Sequence, residues 1–556
     1  MKKFILIGLI FGSALANAQQ PDWSEGFLVP EGGRTNPYSL SPIDYQNSIR
    51  QGKLHAQIYP VSVTGLLPPI RPLQNFIEEP THDPFRFFLQ RMISGLVHIK
   101  KMDDVFRWVG LNEYPQESDQ GVYSVPFPND RRPDYRMGYG TIERNGAEGF
   151  TLSCAACHSS RLFGKTVLGL TNRFPRTNEV FIKGKMIAHF LDPKIFQVMN
   201  HATDAETALV REIKTNVKSI GAKKPLQLGL DTSLAQVALS LSRRNPDEYA
   251  TKSQTYERSP RKDLLDDFPA DSKPAVWWNL KYKDRWLSDG SVISGNPIFT
   301  NILWNEIGRG VDLKILEQWL HENDQVIQDL TSAVFSIEAP RMTDFFPAER
   351  IDLQTAKQGE KIFNQTCSRC HGVYEKAWSQ ADANLPSAQD QLKTTAVHYA
   401  KKTFVVDVGT DPNRYLGMKS LEKLNDLAIS KNNNTVIRAQ KGYVPPPLVG
   451  IWARWPYFHN NSAPNLCAVL TRASQRPTQY YAGAANDPEV DFNFECNGYP
   501  LGEQTPQAWK QKKFLYDTRR EGMRNTGHDE GIFLMDGQEI LTNSDKKALI
   551  QFLQTL

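Results

Sequence analysis

The pentapeptide CAACH occupies Cys154 to His158, and CSRCH occupies Cys367 to His371. The chain of 556 residues has six cysteines, and four of them fall in these two Cys-x-x-Cys-His stretches. Scattering 6 Cys and 11 His at random would give roughly one such stretch per thousand chains, so each marks a chemical demand. Three chemistries use closely spaced cysteines: a redox dithiol, a zinc site and covalent attachment of c-type heme. A thioredoxin-like dithiol needs a βαβ pattern around it, and zinc needs a second Cys or His pair nearby. Neither is visible in the sequence. In the heme reading the two thiols form thioethers and the adjacent imidazole reaches the iron. The spacing therefore predicts two covalently bound c-type hemes, one on Cys154, Cys157 and His158 and one on Cys367, Cys370 and His371.

The amino terminus is consistent with such chemistry. Met1-Lys2-Lys3 precedes the apolar run FILIGLIFGSALA and the small-residue triplet Ala16-Asn17-Ala18, the pattern of a secretory signal cut after Ala18. The run is shorter than the ~20 residues of a spanning helix. No later stretch is long and apolar enough, so the mature chain is expected to be soluble and periplasmic or secreted, without a membrane span. In an oxidising compartment the two remaining cysteines, Cys467 and Cys496, are expected to pair, against the alternative of two buried free thiols. A net charge of +4 and the lack of a Lys/Arg block interleaved with aromatics give no case for nucleic acid.

The length implies two or three domains. Residues 1–18 are the signal and 19–80, containing LLPPIRPL, read as an irregular extension. Asp83 and Pro84 then open a helix with Phe85, Phe88, Leu89, Met92, Ile93 and Leu96 at helical spacing. The first motif and the Trp-rich VWWNLKYKDRW, Val276 to Trp286, follow. The Pro-containing IEAPRMTDFFPAERID reads as a linker, with the boundary near Phe345. This gives an amino-terminal heme domain over 81–345 and a carboxy-terminal one over 346–556.

The stretch TAKQGEKIFNQTCSRCHG resembles the opening of a cytochrome c domain, in which the first helix crosses the last. Gly359 would let the two backbones approach and Phe363 would pack at the crossing. The last helix is NSDKKALIQFLQTL, capped by Asn543 or Ser544, with Ala548, Leu549, Phe552 and Leu553 on one face. Downstream of the second motif, His459 in RWPYFHNNSAPNL and His528 in RNTGHDEG are the candidates for that iron's other axial position. After the first motif, Met186, His189, Met199 and His201 have no ligand-like setting, which suggests an open iron there.

The succession of CAACH, WWNLKYK, KQGEKIFNQTCSRCHG, GIWARWPYFHNNSAPNL, SQRP and GHD resembles the diheme cytochrome c peroxidase and MauG-type superfamily, closest to its rubber oxygenase-like branch. The likeness runs from about Gly149 to the end of the chain. It implies a mainly α fold with two cytochrome c-like heme domains and long irregular loops. The peroxidases complete the second heme with a Met, but the corresponding stretch here reads TRASQRP. Rubber oxygenases pair two histidines there, and His528, near the chain end, matches that ligand better than His459. The likeness also makes Trp277, Trp278 and Trp286 candidates for lying between the hemes, and Phe299 a candidate for an apolar distal wall. The implied activity is dioxygen-dependent cleavage of an unsaturated hydrocarbon. Alternatives are peroxide reduction with a small redox protein as donor, or electron transfer alone. The chain is shorter than a typical rubber oxygenase, which leaves a long polymer channel unsupported.

Overall fold

The structure is a computed structural model that describes residues 20–80, 99–253, 264–379 and 386–556, together with Pro84, Phe87 and Gln90. The 1–18 stretch read as a signal, Asp83 and the apolar stripe from Phe85 to Leu96 lie outside the described residues. The fold is helix-rich, and its described strands form six antiparallel pairs rather than one sheet. No helix among the described residues is long and apolar enough to cross a membrane.

The expectation of an irregular extension over 19–80 is overturned. Helix α1 spans Pro42–Gln57, opened by the Ser41 side chain, which accepts from the Asp44 N–H, and by Pro42 in its first turn. Its buried face is Ser48, Gly52, Ala56 and Gln57, so it has no apolar periodicity to be read. It packs by closeness instead. A Cβ on Gly52 would come 1.9 Å from the carbonyl oxygen of Asp329, and Ser48 donates to the Asp329 carboxylate at 2.6 Å.

The first motif sits between two hairpins. Strands β1 (Tyr139–Arg144) and β2 (Ala147–Leu152) pair before it, and β3 (Ser159–Leu162) and β4 (Lys165–Leu168) pair after it. Further along lie α2 (Thr177–Phe190), α3 (Pro193–Met199), α4 (Ser233–Leu241) and α5 (Pro297–Gly308). The second motif ends α6 (Leu353–Thr366) and leads into the hairpin of β5 (Val373–Lys376) and β6 (Thr394–His398).

The crossing of the first and last helices of this half is present. A Cβ on Gly359 of α6 would lie 2.0 Å from the Ala548 carbonyl oxygen of α7 (Asn543–Leu553), and the Phe363 and Phe552 rings are 5.2 Å apart. The cap of α7 is Thr542, one residue earlier than expected. Its hydroxyl accepts from the Asp545 N–H while the Asp545 carboxylate receives the Thr542 N–H.

The segment around Phe345 is packed on both sides. The Phe345 ring meets Tyr123, Phe163 and Trp452, and Phe346 meets Phe163, Phe492 and Phe494. One continuous hydrophobic cluster runs from Tyr59 and Leu168 through Trp278 to Phe363 and Phe552. Cys467 and Cys496 are joined by a disulfide.

Candidate functional site

Both motifs make the same turn. In the first, the N–H groups of Cys157 and His158 donate to the Cys154 carbonyl at 3.2 and 3.0 Å; in the second, those of Cys370 and His371 donate to the Cys367 carbonyl, each at 3.1 Å. Such a turn projects two thiols and an imidazole to one side. All six side chains line a single cavity of about 730 Å³.

The electrostatics of these groups discriminates among the sequence readings. Burial pushes the thiols up, to about 11 for Cys154 and about 12 for Cys157 and Cys367, which makes poor redox nucleophiles. Among the described residues no three His, Cys, Asp or Glu side chains converge to hold a bare metal ion, so a zinc site is not built. Burial pulls His158 down to about 4 and lowers His371 as well, which favours the neutral imidazole in both. In each, Nδ1 lies 2.9 Å from a carbonyl oxygen, Ala275 for His158 and Pro446 for His371. A carbonyl only accepts, so Nδ1 carries the proton and Nε2 keeps its lone pair for a metal.

The cavity wall holds cations that lack a counter-charge. Lys273, Lys283 and Arg454 line it, Lys283 buried and the other two half-buried, and none has a carboxylate partner among the described residues. Lys273 Nζ donates instead to the carbonyls of Arg454 and Pro456 at 3.1 and 2.6 Å. Burial drives it well below the ordinary lysine value, with Arg454 and Arg173 adding to the effect, and the same cause lowers Lys283 to about 8. Buried cations without partners are expensive, so this cavity suits an anionic occupant. A c-type heme fits the whole set: paired thiols for its vinyl groups, an imidazole for its iron and cations without ionic partners for its carboxylates. Sequence reasoning missed the cations, because isolated Lys and Arg residues carry no motif.

His528 and His459 also line the cavity, but in different settings. The His528 ring faces His371, with centroids 6.3 Å apart. Burial lowers its pKa to about 3, and its Nδ1 is buried with no hydrogen-bond partner. The His459 ring is stacked on Tyr443 at 4.0 Å, and its carbonyl accepts from the Lys273 N–H. Met186, His189, Met199 and His201 do not line the cavity.

The tryptophans lie beside it. The Trp277 ring is 5.3 Å from His158, and Trp278, fully buried, donates its indole N–H to the Val449 carbonyl at 2.8 Å. Trp286 is in the cavity wall, whereas Trp277 and Trp278 are not.

Phe299 is not in the wall either, contrary to expectation. Asn296 caps α5 and Pro297 occupies its first turn, which sets the phase so that Pro297, Thr300, Asn301, Trp304 and Asn305 face the cavity. Phe299 is buried in the core instead.

The loop carrying His528 is held by Arg476, a buried residue. Its guanidinium donates to six backbone carbonyls: Ala468, Val469, Thr471, Asn525, Gly527 and His528.

Known proteins resemble parts of this chain. Residues 442–481 match a family model described as RoxA-like, cytochrome c-like. That segment contains Tyr443, Pro446, Arg454, His459 and Arg476. The uncharacterized protein y4iM of Sinorhizobium fredii (strain NBRC 101917 / NGR234) is 28% identical over 199 residues, covering 34% of this chain and 44% of the relative. The uncharacterized protein y4iJ of the same strain is 33% identical over 254 residues, covering 37% of this chain and 39% of the relative. The chain thus spans less than half the length of either relative. The 442–481 match supports a relation to RoxA-like cytochromes c and implies a c-type heme.

Proposed function

We propose that this chain is an exported diheme c-type oxidoreductase, with a reactive site at His158 and an electron relay at His371. When bound, a c-type heme supplies an iron that passes electrons if both axial positions are filled and activates dioxygen or peroxide if one is free. The observation that carries the reading is the contrast between the two motif imidazoles. The His371 and His528 rings face each other with centroids 6.3 Å apart, so these two residues would hold one iron between them. His158 has Trp277 as its ring neighbour, and among the described residues no methionine lines the cavity.

The residues divide the work accordingly. Ala275 fixes the His158 tautomer and Pro446 that of His371 through their carbonyls. Lys273, Lys283 and Arg454 hold anionic groups in the buried cavity. Trp277 and Trp278 bridge from His158 toward Val449, a path for electrons between the two sites. Leu234 and Val237 of α4 and Trp304 of α5 give an apolar wall suited to an unsaturated hydrocarbon substrate.

A peroxide-reducing alternative needs a proton donor near the first motif. Asp231 is the one observation in its favour: it lines the cavity near Cys157, and burial raises its pKa. Its Oδ1 accepts from the Ser233 N–H and hydroxyl at 3.0 and 2.6 Å, hydrogen bonds that favour the charged carboxylate over the protonated acid and so oppose that role.

The test is the absorption spectrum of the reduced holoprotein with and without carbon monoxide, followed by turnover. A shift at one heme and oxygen uptake with polyisoprene or a short terpenoid are expected. Turnover only with hydrogen peroxide and a reduced small cytochrome would replace oxygenase by peroxidase, and no shift at either heme would leave an electron carrier.

A further inference from the structure

The hairpin of α2 and α3 runs from the cavity to an exposed apolar surface. At its start, Thr177 and Phe181 belong to the cavity wall. Toward the end of α2, Ala188 alone is buried, against Val217 and Ile220, while the rest of that stretch turns outward. Met186 is 56% exposed, Ile187 50%, Phe190 81%, Ile195 56% and Val198 76%. Large apolar side chains concentrated this way mark an interaction surface, because scattered surface apolar residues do not cluster on one hairpin.

Charge narrows the partner. Between residues 183 and 198 the charged side chains are Lys183, which lies over the Trp108 ring, Lys185, which donates to the Ile220 carbonyl at 2.6 Å, Asp192 and Lys194, and Asp204 joins the edge by accepting from Gln197 at 2.8 Å. Asp192 is occupied as the cap of α3, accepting from the Lys194 and Ile195 N–H groups at 2.9 and 3.0 Å. Lys214 of the adjoining helix donates to the Leu191 carbonyl at 2.8 Å and adds a further cation at the rim. A second copy of this chain paired on the same patch would set these lysines against their own images, which is unfavourable. A neutral hydrocarbon phase would offer Lys183, Lys194 and Lys214 no counter-charge. An apolar centre within a cationic rim matches an anionic lipid bilayer, where apolar side chains enter the acyl boundary and lysines meet the head groups.

We propose that the α2–α3 hairpin docks this protein onto an anionic lipid surface, Phe190 and Val198 leading, with the cavity wall at Phe181 on the same helix. This goes beyond the reaction assigned above and does not depend on it.

The test is co-sedimentation of the holoprotein with vesicles of phosphatidylcholine alone or with about one third phosphatidylglycerol, at low and high salt. Binding to anionic vesicles at least about tenfold tighter than to neutral ones, weakened by salt, is expected. Phe190→Asp with Val198→Asp should lose at least about tenfold, and Lys183→Glu with Lys194→Glu should abolish the preference for anionic lipid, both with unchanged heme spectra. No binding, or binding that the variants leave intact, overturns the proposal. So does a wild-type dimer that the Asp variant converts to monomer without any vesicle binding. Adsorption to polyisoprene emulsion but not to vesicles would assign the patch to a polymer instead.

Discussion

The imidazoles of His371 and His528 face each other with ring centroids 6.3 Å apart and planes inclined by 52°. His528 is held at φ +54°, and its N–H donates to the Val408 carbonyl at 2.8 Å. A ring placed this way by backbone constraints is the expected second ligand of the iron at His371. His528→Ala should turn that heme high-spin and open it to carbon monoxide. His459→Ala should leave it low-spin and cost about 1–2 kcal/mol of stability through the lost stack on Tyr443. Absorption and electron paramagnetic resonance spectra of the two variants decide it; a high-spin heme in the second alone would reverse the assignment.

Arg476 should act on the same heme without touching it. Removing its side chain takes a donor from six carbonyls, of which Ala468 keeps the Thr471 N–H, and each buried loss costs ~1 kcal/mol or more, partly recovered by water. Arg476→Ala is expected to lower stability by about 2–4 kcal/mol and to give a mixed-spin second heme. A fully low-spin spectrum in a folded Arg476→Ala protein would show that the loop holds His528 unaided.

Gly359→Ala poses a contest of magnitudes. Helix propensity favours alanine by about 1 kcal/mol. The new Cβ, however, would meet the Ala548 carbonyl oxygen at 2.0 Å, backbone that cannot swing away. Overpacking at such a crossing should win, giving a net loss of about 1–3 kcal/mol. Thermal unfolding of the variant measures the sign directly, and an unchanged or raised midpoint would contradict the crossing.

His398 supplies a pH dependence. Desolvation lowers its pKa, but hydrogen bonds to Glu31 at 2.6 Å and Glu375 at 2.9 Å outweigh that, and the net shift is upward. A raised native pKa means that the contribution is fully present below the ordinary His value of about 6.5 and is lost as pH rises through the native value. The ring is partly exposed, so the amount is under about 1 kcal/mol and falls with salt. Stability curves of wild type and Glu31→Gln should converge as pH rises; a constant gap across that range would exclude the linkage.

The sequence was most informative where one small unit carries a complete demand. The two Cys-x-x-Cys-His stretches needed no partner to be read, and Gly359 and Phe363 were legible because a helix crossing requires a small residue beside a large one. Helix α1 was not, since its buried face of Ser48, Gly52, Ala56 and Gln57 has no apolar rhythm and its packing depends on Asp329 far along the chain. Phe299 was misplaced because its direction depends on the phase set by Asn296 and Pro297. The carbonyls of Ala275 and Pro446 could not be foreseen, as any residue can present one.

Phe345 and Phe346 fill aromatic holes made by both halves, with Phe163 on one side and Trp452 and Phe492 on the other. A cut at that point would open this shared aromatic interior to water, leaving each fragment with an unfinished surface. Shuffling one motif region into another gene would therefore carry across only part of a fold. Lineages of this protein are expected to diverge by substitution within a common interior, with both motif regions inherited as one piece.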